Sequence, residues 1–145
     1  KDDIDDAVEL IEDEVDVALA RLQALDAMIT SLQPTDESQV YYHFLLLKAR
    51  ADNVEHIARL YSLLENGQRS HQYYTQAAQG ALDAYSFVLD DNLGLARAEV
   101  RLAIGRFNAA IGEADRANDE RAAMALVAQR DAEQTQAISK LAAAR

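Results

Sequence analysis

Ile4, Val8, Ile11, Val15, Ala18, Leu22, Leu25, Ile29 and Leu32 follow one another at alternating spacings of four and three residues. An α-helix brings such positions to one side, and four unbroken repeats make the seam of a coiled coil. Leu10, Val17 and Ala24 add a third apolar row, seven residues apart. That row widens the stripe beyond a two-stranded seam and predicts a first helix enclosed within a bundle.

Pro34 ends this helix, and Thr35 followed by Asp36 and Glu37 has the form of an N-cap with an acidic first turn. The heptad then resumes through Val40, Phe44, Leu47, Ala51, Val54, Ala58 and Tyr61. It runs through Asp52-Asn53 without a change of phase, which predicts one uninterrupted second helix. Asn66-Gly67 supplies the left-handed position that ends it. A third helix, starting near Ser70, carries Tyr74, Ala78, Ala81, Tyr85 and Val88 on its buried face. Asp90-Asp91-Asn92 with Gly94 reads as a turn, after which the stripe continues through Val100, Ile104, Phe107, Ile111 and Ala114. Beyond Asn118-Asp119 an alanine-rich stretch carries Met124, Val127, Ile138 and Leu141. The chain therefore has four helices, or five if Asn118-Asp119 turns it.

Short connections at Pro34 and Gly67 imply antiparallel neighbours. Folding the first two helices about Pro34 sets Val40 near Met28, Ala51 near Ala18 and Tyr61 near Val8. His56 and Arg59 then lie beside the first turns of helix one. The reading is an all-α, elongated antiparallel helical bundle, one domain over residues 1–145, with coiled-coil-like packing.

Composition reinforces that reading. One proline and five glycines in 145 residues leave little material for the turns that sheets of short strands require. The absence of cysteine removes disulfides, thiolate metal sites and cysteine nucleophiles, and is compatible with a cytoplasmic, periplasmic or extracellular setting. No uncharged apolar run reaches the roughly 18 residues of a membrane span. A start at Lys1 without methionine predicts a processed product or an excised fragment.

Charge changes the picture more. The net charge is −11. Residues 1–16 carry nine carboxylates against Lys1, whereas residues 94–145 carry eight bases against seven acids. The acidic end repels polyanions, so nucleic acid is not an expected partner. Early carboxylates suit the helix dipole. A last helix lying antiparallel to the first would bring Arg130, Lys140 and Arg145 to those acids, predicting neutralisation within the molecule.

Candidate chemistry is sparse. A calcium site needs six or more oxygens converging from a tight loop, and a helical acidic run splays its carboxylates outward. His43, His56 and His71 match no metal-binding spacing; Asp52 and His56, four apart, read as a salt bridge on a helix face. No phosphate loop, nucleophile elbow or supported catalytic triad is present, so neither enzyme activity nor a cofactor is expected. Tyrosine accounts for six of nine aromatics. Tyr61 and Tyr74 approach across the Gly67 turn, and with Tyr41 and Tyr85 they are the candidates for a polar inter-helix pocket.

The segment Gly105-Arg106-Phe107-Asn108-Ala109-Ala110-Ile111, with Ala114 and Ala117, resembles the second half of a tetratricopeptide unit, in which glycine allows a turn between two helices. Residues 53–64 resemble the same half-unit. The two lie 54 residues apart, taking His56 and Ala110 as equivalent, which is not a multiple of the 34-residue period, and the first-helix tryptophan and glycine are missing.

These observations lead to an expected non-catalytic interaction or scaffold module, binding another protein or its own copy. Long outer helices and the absence of cysteine also resemble the extracytoplasmic four-helix sensor domains of bacterial receptors, which would imply a small-molecule ligand. A third expectation is the helical hairpin of a periplasmic adaptor, flanked by β-rich segments.

Overall fold

The computed structural model describes residues 2–32 and 36–144. Five α-helices follow in order: α1 (Asp2–Ser31), α2 (Glu37–Leu63), α3 (Gly67–Val88), α4 (Leu93–Arg116) and α5 (Glu120–Ala143). Asn118-Asp119 is thus a turn, and α2 passes through Asp52-Asn53 unbroken. Pro34, Thr35 and Arg145 lie outside the described residues.

Four helix starts share one device. The side chains of Asp36, Asn66, Asn92 and Asp119 accept the backbone N–H three residues on, from Gln39, Arg69, Leu95 and Ala122, at 2.9–3.1 Å. Each satisfies one of the orphan donors that open a helix. The cap of α2 is therefore Asp36.

The α2–α3 and α4–α5 turns are built alike. Glu65 and Asn118 take left-handed backbones, φ 58° and 57°. The next amide reaches back five residues, Asn66 N–H to the Tyr61 carbonyl and Asp119 N–H to that of Ala114, both at 2.9 Å. This is the Schellman closure, and its last residue is already the next helix's cap. Helix α3 consequently starts three residues earlier than Ser70. Gly67 is its first residue, with ordinary φ, and its glycine serves proximity: a Cβ there would lie 2.8 Å from the Glu113 carbonyl oxygen.

Packing runs from each helix to the next: α1 on α2, α2 on α3, α3 on α4, α4 on α5. The main core joins Phe44 of α2 to α3, α4 and α5 through Ala78, Tyr85, Val100 and Phe107. A second, smaller core holds α1 to the other side of α2 through Val15, Ala18, Ile57, Leu60 and Tyr61. Alanines line much of the interior, and Gly80 brings α3 close enough to α2 that a Cβ would sit 2.7 Å from that of Ala51.

This serial arrangement corrects several expectations. Helix α1 has one extensively packed neighbour, so one stripe suffices: Leu10, Val17 and Ala24 are exposed. Asn53, rather than Ala51, reaches Ala18, donating to its carbonyl at 2.9 Å. Ten residues beyond Asn53, α2 ends at Leu63, opposite Val8, so the first turn of α1 overhangs and Ile4 is 69% exposed. In α5 the buried positions are Ala123, Leu126 and Ala137, while Met124 and Ile138 are exposed. Apolar residues on several sides of that helix make its inward face ambiguous in sequence. Gly105, which the tetratricopeptide resemblance would place at a turn, lies inside α4 as the apolar stripe implied, with open space around it.

Candidate interaction surfaces

Three arrangements of side chains invite a functional reading. The first is polar and buried. Arg106, 3% exposed, donates from Nε to Glu55 and from a terminal nitrogen to Asp52, both at 2.6 Å, and from the other to the Ala77 carbonyl at 3.1 Å. One guanidinium thereby ties α4 to both α2 and α3. Glu55 is also held by Arg59, one turn on. Elsewhere on the same two helices, α2 and α4, Lys48 pairs with buried Glu99 at 3.3 Å. Each nitrogen of the Arg106 fork is engaged within the fold, so the guanidinium fixes the order of these helices. Asp52 and His56 diverge: Asp52 turns to Arg106, and the His56 ring lies 3.6 Å from Glu14 of α1.

The second concerns tyrosine. Tyr61 stacks on Tyr73, centroids 5.5 Å apart, with Arg69 over its ring, so its partner is the residue before Tyr74. A one-residue change rotates a helix position by about 100°, so Tyr74 faces a different side of α3 from Tyr73. Tyr74 lines a cleft of about 290 Å³ with Arg59, Arg101 and Arg106. Burial raises its hydroxyl pKa above the ordinary value, and the Arg59 guanidinium offsets part of that. Tyr85 borders a small hollow of about 90 Å³ beside Glu133 and Lys140. Its buried hydroxyl has no hydrogen-bond partner among the described residues, and burial, then Glu133, raises its pKa. Tyr41 lines an open cleft of about 560 Å³ with Val40, Val88 and Leu95, rimmed by Asp36, Glu37 and Asp91. Tyr41, Tyr74 and Tyr85 thus border three different cavities, and Tyr61 borders none of these.

The third is the pair of outer faces that a serial array leaves bare. Helix α1 exposes Ile4, Leu10 (67%) and Val17; helix α5 exposes Met124 (73%) and Ile138. Monomeric proteins expose single apolar residues freely, and several large ones on each outer helix make these faces candidates for an interface. Between α4 and α5 lies a groove of about 500 Å³, walled by Val100, Ile104, Ile138 and Leu141, with Arg97 and Arg101 along its rim.

Electrostatics distinguish the two ends. Asp3, Asp5, Asp6, Glu9 and Glu12 are exposed and form no ion pair among the described residues. Half-buried Arg97 and exposed Arg101 form none there either. No hydrogen bond or ion pair joins α1 to α5 among those residues; Arg130 bonds Asp131 and Asn108 instead. Among the described residues the expected internal neutralisation of the acidic run is therefore limited to His56 beside Glu14, with Arg50 on Asp26 further along α1. Sequence reasoning misses the α4–α5 groove because apolar spacing points Ile138 inward and the arginines of α4 lie apart from any recognisable motif. No helix is long and apolar enough to cross a membrane among the described residues.

Compared with family models, curated proteins and solved structures, the chain matches none.

Proposed function

We propose that this domain is a non-catalytic interaction module whose two terminal helices present apolar faces to other protein surfaces. One observation carries the reading: Ile4, Leu10 and Val17 on α1, and Met124 and Ile138 on α5, stand in solvent on helices with one extensively packed neighbour each. Burying apolar side chains of this size on a partner stabilises a complex by roughly 1.5–3 kcal/mol each. The Arg106 and Lys48 ion pairs, by contrast, are engaged in holding helices together.

The test is site-specific photocrosslinking in cells from position 17 and position 124, with exposed Gln72 of α3 as the control position. Cross-links to protein, including a second copy of the chain, are expected from the first two and not from the third. Equal yields at all three positions would refute the reading.

A second reading, a sensor of small organic cations, is favoured by the Tyr41 cleft alone. Its volume suits a small ligand and its rim carries three carboxylates. Titration calorimetry with alkylammonium ions tests it, and binding unchanged by Asp91→Asn would count against it.

A further inference from the structure

We propose that the acidic overhang of α1 in one copy seats in the α4–α5 groove of a second copy, so that the chain associates head to tail. The inference deepens the interaction-module reading and rests on it.

The donor is an amphipathic helix end. Ile4 and Val8 continue the apolar seam to and past the end of α2, where Ile4 is left uncovered among the described residues. At 100° per residue, Asp5, Glu9 and Glu12 flank that seam on one side and Asp3 and Glu14 on the other. All five are exposed, and of them Glu14 alone lies beside a base, His56.

The acceptor is its complement. The groove floor is apolar, and Ile138 in it is 60% exposed. Arg97 and Arg101 stand one helical turn apart on its α4 rim, as Asp5 and Glu9 stand one turn apart on α1. A helix laid in an apolar groove with opposite charges at the rim is a common recognition mode: apolar knobs give affinity and the rim sets register.

A chain cannot fill its own groove. The overhang lies at the end of the array where α2 turns into α3 and α4 into α5. The groove is made from the first half of α4 and the last half of α5, at the other end. It also lies at the far side of the sequence of packed helices from α1. The contact is therefore between copies, and because donor and acceptor are different surfaces it repeats from chain to chain.

Sedimentation equilibrium on the 145-residue chain tests this with two double variants. R97E/R101E disables the groove and I4D/V8D disables the overhang; circular dichroism checks that both stay helical. The wild-type mass is expected to rise with concentration beyond that of a dimer and to fall as salt is added. Each variant alone associates at least roughly tenfold more weakly. An equimolar mixture forms a 1:1 heterodimer that grows no further, since its two remaining surfaces are the disabled ones. Leu10→Asp, on another side of α1, leaves wild-type association unchanged. A wild-type chain that stays monomeric from micromolar to millimolar concentration, or variants that fail to pair when mixed, overturns the inference. Association abolished by Leu10→Asp and untouched by R97E/R101E also overturns it, while leaving the interaction-module reading standing.

Discussion

Replacing Arg106 with methionine removes a side chain that bonds α2, α3 and α4 together, while keeping much of its aliphatic volume. Breaking a fully buried ion pair by deleting one partner costs about 3–5 kcal/mol, because the surviving charge stays desolvated. Two features of the site reduce that figure. The Asp52 side chain is 54% exposed and rehydrates when its partner goes. Glu55 is only 13% exposed, but it keeps Arg59. The Ala77 carbonyl loses a donor and retains its place in the helix. The expected loss is thus about 2–3 kcal/mol. For a chain of this size roughly 3 °C of Tm accompanies each kcal/mol, so melting falls by roughly 6–9 °C. Urea unfolding followed by circular dichroism gives the free energy, and the slope against denaturant should not change. Glu55→Gln is then made in both backgrounds. It should cost at least about 1 kcal/mol less in the R106M background than in the wild type, because the two side chains share one interaction. An R106M chain within about 0.5 kcal/mol of wild type, the range of an ordinary surface change, would refute the claim that this guanidinium holds the three helices in order.

Two glycines on neighbouring helices should respond oppositely to alanine. Gly80→Ala forces a Cβ against Ala51 and is expected to destabilise by about 1–3 kcal/mol, whereas Gly105→Ala meets open space and should stabilise by about 0.8–1 kcal/mol; thermal melts of the two side by side decide. Asp119 caps α5 and its pKa is lowered by the Ala122 backbone N–H first and Gln68 next. A depressed folded pKa means that the stabilisation is present above the ordinary carboxylate range and is lost as pH falls through the folded value. Melting of the wild type should therefore drop below about pH 4 more steeply than that of Asp119→Asn, and parallel pH profiles would contradict this.

Helix type was legible because apolar spacing of three and four with few breakers admits little else. Asn118-Asp119 and Asp90-Asp91-Asn92 signalled turns through residues whose short side chains cap helices, and the structure uses Asn92 and Asp119 so. What the pattern could not convey was how many neighbours each helix has. A wide stripe on α1 looks the same whether a bundle encloses it or solvent bathes it, and Leu10 and Val17 are in solvent. Tyr61 meets Tyr73 instead of Tyr74, a one-residue difference of register that the turn residues alone did not convey. The Arg106 fork was invisible for a different reason: its carboxylate partners lie more than fifty positions away in sequence.

The small core between α1 and α2 shares no buried residue with the larger one. Peeling α1 away would expose its own contact with α2 and leave the remaining interior dry. Such a helix behaves as a separate cooperative unit, opening at a free energy well below that of the whole chain. Amide protons of α1 should then exchange earliest as a block, and a partner that grips this helix gains a handle on one detachable strut without loosening the other four.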